Sequence, residues 1–120
     1  MNHEGASLSE FQALLLSVAI EAPIAWLVVR LTRWPSRGPL HAALAAGVTT
    51  AVTHPQLWAA VIWLTPRFGW LPVCLAGEVV VIVVEGLLIA WMAGLGMRHA
   101  MLLSLVANSA SFAAGLLLTG

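Results

Sequence analysis

The sequence predicts an all-α integral membrane protein, an antiparallel bundle of four transmembrane helices joined by short connections. Three observations lead there. Of the 120 residues, 61% are apolar and 8% charged, whereas charged residues make up about a quarter of an ordinary soluble domain. Four long apolar stretches are separated by short breaks rich in Pro, Gly and Arg. All five arginines lie at or beside those breaks. Five Arg balance five Glu with no Lys or Asp, so there is no basic excess to neutralise nucleic-acid phosphates. The chain is also too apolar to remain disordered and solvated.

The first span is expected over about 11–31, and Trp34-Pro35-Ser36-Arg37-Gly38-Pro39 ends it. Met1 to Glu10 carries Glu4 and Glu10 and no Arg or Lys. That is unlike the positive start of a secretory signal, so this stretch reads as a retained span. The second span is expected over about 40–64, closing at Thr65-Pro66-Arg67-Phe68-Gly69. The third covers about 71–93, before Gly94-Leu95-Gly96-Met97-Arg98, and the fourth about 99–119. Each suffices for a hydrocarbon layer of ~30 Å, which takes about 20 helical residues. Connections this short join antiparallel neighbours, making the chain a single up-and-down domain.

Arginine distribution sets the expected orientation. Arg30, Arg33 and Arg37 lie at the first connection and Arg98 at the third, against Arg67 alone at the second. The bias places the first and third connections in the cytoplasm and both termini outside a bacterial inner membrane.

Every span contains polar residues that are expensive in lipid. The first has Glu21, the second Thr50, Thr53 and His54, the third Glu78 and Glu85, and the fourth Ser104, Asn108 and Ser111. At a rise of about 1.5 Å per residue, Glu21 and His54 fall ~15 Å from the outer ends and Asn108 ~16 Å. Glu78 at ~10 Å and Glu85 at ~21 Å bracket that level. Glu78 and Glu85 are two turns apart and share a face, as do Ser104, Asn108 and Ser111. Four stripes on four helices are thus expected to meet near mid-bilayer. Pro23 and Pro55 lie beside Glu21 and His54. They predict helix kinks that free the carbonyls of Ala19 and Ala51 as further oxygen ligands.

Carboxylates with an imidazole suit a divalent metal ion, for which Glu21, His54 and Glu85 are the candidate ligands. Without a metal, the same groups make a proton relay. The expected function is a cation-binding channel or carrier, for protons or a divalent metal, using Glu21, His54, Glu78, Glu85, Asn108 and Ser111. Four helices enclose little space, so a homo-oligomer or partner membrane subunits are expected, with lipid around them. One alternative is an accessory subunit of a larger membrane complex, whose polar stripes serve helix, pigment or lipid contacts. Another is a membrane-embedded metal-dependent enzyme, against which stands the lack of any nucleophile–base pair at a recognisable spacing. Cys74 is the sole cysteine, so no disulfide forms within the chain.

Overall fold

The computed structural model describes residues 9–119, so the stretch containing Glu4 lies outside the described residues. It is a four-helix bundle of α1 (Glu10–Thr32), α2 (Pro39–Phe68), α3 (Trp70–Ala93) and α4 (Met97–Thr119). Three of these, α1, α3 and α4, are long and apolar enough to cross a membrane. The longest helix, α2 with 30 residues, is not among them. Its middle carries Thr49, Thr50, Thr53, His54 and Gln56, and these polar groups lower its hydropathy.

Local chemistry explains the boundaries. Ser9 and Gln12 form a capping box at the start of α1, with reciprocal side-chain to backbone hydrogen bonds of 3.1 Å. These bonds satisfy backbone donors that the first turn leaves unpaired. Arg33 ends α1 in a left-handed conformation, donating its N–H to the Val29 carbonyl at 3.0 Å. Pro39 opens α2 at a position where its missing N–H costs nothing. Two sequence boundaries need correction. Helix α2 runs past Leu64 and through Pro66 to Phe68, and α4 begins at Met97 rather than His99. Gly69 alone, at φ 90°, separates α2 from α3, because this left-handed backbone breaks the helix where Pro66 does not.

The helices pack in a ring in which α1 touches α2 and α4, and α3 touches α2 and α4. One half of the bundle is solid. Its core consists of small residues (Ala25, Ala42, Ala45, Ala46, Ala93 and Ala100) with Val29, Ile89 and Leu103 between them. The α1–α2 connection closes this end. Arg37 donates its backbone N–H to the Ala93 carbonyl at 2.8 Å and its guanidinium to the Met92 carbonyl at 3.1 Å, covering the end of α3. A Cβ at Gly94 would lie 3.2 Å from the Arg37 side chain at a φ of 67°, so glycine is required twice over. Trp34 stacks on His99 with ring centroids 4.2 Å apart. His99 is thus held by the first connection.

The distribution of polarity is inverted relative to a soluble bundle. Glu21 is 2% exposed and Glu85 1%, while Trp63 is 83% and Leu117 85% exposed. The interior holds carboxyls, and the outside presents Leu, Val, Ile and Trp.

Candidate functional site

The other half of the bundle is hollow. A cavity of about 390 Å³ lies among all four helices, lined from Ala13 to Glu21 on α1, Thr50 to Val61 on α2, Trp70 to Glu85 on α3 and Asn108 to Leu116 on α4. It reaches from Trp70 and Leu116 down to Glu21, Thr50 and Glu85. All six residues expected to bind a cation line it: Glu21, His54, Glu78, Glu85, Asn108 and Ser111.

Its floor is a pair of carboxyl groups held by hydroxyls from two other helices. Glu21 Oε1 accepts from Thr50 at 2.9 Å, and Oε2 from Ser111 at 2.8 Å. Glu85 Oε1 lies 3.2 Å from the Thr50 hydroxyl and 3.3 Å from that of Thr49. Its Oε2 accepts from Thr53 at 3.0 Å. The Thr50 hydroxyl therefore bridges the two acids. Glu85, placed deeper than Glu21 by counting along the chain, shares its level.

Proton arithmetic constrains this arrangement. A threonine hydroxyl has one proton to donate and lone pairs to accept. Thr50 can donate to only one of its two carboxyl partners at a time. The other contact becomes a hydrogen bond when that carboxyl carries a proton and donates it to Thr50 Oγ1. Two like charges 4 Å apart repel by about 4 kcal/mol at an effective dielectric of ~20. A proton shared by the pair removes that repulsion and completes the chain Glu–Thr–Glu. Two acids coupled in this way titrate in two steps that belong to the pair and to neither residue alone.

Asn108 and Ser104 have different roles. The Asn108 amide donates back to the Ser104 carbonyl at 2.9 Å, along its own helix. Ser104 donates across to the Ile82 carbonyl at 2.8 Å and ties α4 to α3. Higher in the cavity, the rings of His54 and Trp58 lie 5.9 Å apart. His54 Nε2 and Glu78 Oε2 are enclosed without a hydrogen-bond partner among the described residues.

The expected metal set is not assembled. Among the described residues, no three His, Cys, Asp or Glu side chains are arranged to hold a metal ion. Glu21 and Glu85 turn their oxygens to hydroxyls, and His54 lies a turn further along α2. Nor do the proline-freed carbonyls point inward. Pro23, Pro55, Ala19 and Ala51 all face the outer surface, because residues four apart lie on one helix face. Thr49 is the one floor residue that the sequence reading did not single out. Comparison with protein-family models, curated proteins and solved structures finds no match to this chain.

Proposed function

We propose that the chain is a four-span membrane protein with antiparallel helices that binds a cation in this cavity and exchanges protons at the Glu21–Glu85 pair. The observation that carries the reading is the pair itself. Two acids from different helices are joined through Thr50 at the buried end of a partly enclosed cavity that extends to the exposed Trp70 and Leu116. Carboxyls buried within a membrane bundle are costly, and lining an ion or proton path is a common use of them. Protons fit the floor better than a divalent metal, which takes several oxygen or nitrogen ligands at once. The exposed apolar exterior with acids inside supports insertion of all four helices, α2 keeping Thr49 and Thr50 buried in the bundle while Gln56 stays outside. The arginine bias supports both termini outside, with the cavity opening on that side. The solid alanine half then faces the cytoplasm. Passage through it requires the helices to rearrange or a second copy to complete the path, which supports a homo-oligomer.

A second reading has its own support. Each of the four carboxyl oxygens has a hydroxyl within hydrogen-bonding distance, as expected if the pair merely binds helices together in an accessory subunit. Proton flux into proteoliposomes separates the two. Under the proposal Glu85→Gln abolishes flux and leaves a folded bundle, since Gln keeps shape and hydrogen bonding but cannot ionise. Native flux in a stably folded Glu85→Gln protein would assign the pair to structure alone.

A further inference from the structure

Deepening the cation-binding reading and resting on it, we infer that the upper tier of the cavity recognises an organic amine, with a cationic N–H head and an apolar or aromatic body. The two tiers differ in what they lack. On the floor, Glu21 and Glu85 are supplied with hydroxyl donors by Thr49, Thr50, Thr53 and Ser111. Above it, Glu78 Oε2 and His54 Nε2 are enclosed with no hydrogen-bond partner among the described residues. A buried acceptor without a donor is unfavourable. Turning either side chain towards a donor in the cavity gains a hydrogen bond that the protein itself does not provide.

The rest of the lining narrows the chemistry. No Arg or Lys faces the cavity, whereas Glu21, Glu78 and Glu85 do, so an anion is disfavoured and a cation favoured. Trp58, Trp70 and Phe112 also line it, and aromatic faces attract cations and pack against apolar bodies. An inorganic divalent ion needs a ligand cage, and among the described residues no group of three candidate side chains is arranged to give one. An ammonium head needs only a few acceptors, as a lysine ammonium with its three donors illustrates. Glu78 would supply the charged acceptor, and His54, in the tautomer whose Nε2 accepts, lines the same cavity. The cavity volume of about 390 Å³ falls in the range of about 300–1,000 Å³ typical of small-molecule pockets.

The test is calorimetric titration of the full chain in mild detergent with phenethylamine, against 2-phenylethanol and protein-free micelles as references. Saturable binding of the amine is expected, with the alcohol at least about tenfold weaker, since it lacks the charge that strengthens the hydrogen bond. Glu78→Gln should weaken amine binding by about tenfold or more, and Glu78→Asp, which keeps the charge, should recover part of it. Trp58→Ala should weaken the amine severalfold. Equal binding of amine and alcohol, or amine binding unchanged in a folded Glu78→Gln protein, would overturn the inference. Proton flux measured without amine keeps the two claims apart. Flux that depends on Glu85, with no amine binding, overturns the amine site and leaves the cation reading standing. Absence of both overturns both.

Discussion

Replacing Thr50 with valine tests whether the carboxyl pair is joined as described. Valine nearly matches threonine in shape but replaces the hydroxyl with a methyl, so the packing of a side chain only 2% exposed is retained. Two contacts disappear, at 2.9 Å to Glu21 and 3.2 Å to Glu85. Glu21 Oε1 is left without its hydroxyl partner, and an unsatisfied buried acceptor costs about 1–3 kcal/mol. Glu85 Oε1 retains Thr49 at 3.3 Å, so its loss is nearer the average of ~0.6 kcal/mol for a polar contact between membrane helices. The total is about 2–4 kcal/mol. Thr49→Val removes the 3.3 Å contact to Glu85 and the hydroxyl's 3.1 Å contact with the Ala46 carbonyl of its own helix, and should cost less than about 1 kcal/mol. Unfolding in mixed detergent micelles, followed by circular dichroism, measures both variants. A double-mutant cycle of Thr50→Val with Glu21→Ala, which removes the acceptor altogether, should give a coupling of about 1 kcal/mol, because the two residues share one hydrogen bond. Thr50→Val with wild-type stability and no coupling to Glu21 would refute the bridge.

Other predictions concern packing and access. A Cβ at Gly86 would lie 2.5 Å from Met101 Sδ and 3.3 Å from its Cα. Gly86→Ala therefore forces α3 and α4 apart and should cost about 1–3 kcal/mol by overpacking. Gly47→Ala, where the added methyl meets Val18 at an ordinary 3.7 Å, should be neutral or stabilising in the same unfolding assay. Cys74 lines the cavity beside Glu78. A cationic methanethiosulfonate added from outside the cell should modify it faster than an anionic one of similar size. Equal rates would argue against an acidic path, and modification from the cytoplasmic side alone would reverse the orientation.

The sequence made some of this legible and hid the rest for identifiable reasons. The four elements were readable because Pro35, Gly38 and Pro39, then Gly69, then Gly94 interrupt otherwise continuous apolar runs. Pro66 misled because a proline does not end a helix whose backbone reaches the left-handed region only at Gly69. Glu21, Glu85 and Ser111 were visible as polar groups with no place in lipid. Their convergence followed from height along the helices. Direction across the bundle did not follow, because counting residues fixes height but not which neighbour a side chain meets. Hence His54, at the expected level, does not join Glu21 and Glu85 in a metal set. The same limit hid Thr49. It sits beside Thr50, and neighbouring positions diverge by about 100° around a helix of 3.6 residues per turn. Both nevertheless reach Glu85, because its carboxyl lies between them.

Infrared difference spectroscopy of the carboxyl carbonyl band, recorded while pH is varied in reconstituted membranes, examines the pair most directly. A protonated carboxyl absorption that disappears as pH rises, corresponding to one proton per chain for the pair, is the predicted result. Glu21→Gln and Glu85→Gln should each alter it, since the proton belongs to both residues. A band that titrates identically in wild type and in both variants would show that the Glu21–Glu85 pair exchanges no proton, and would contradict the proposed function.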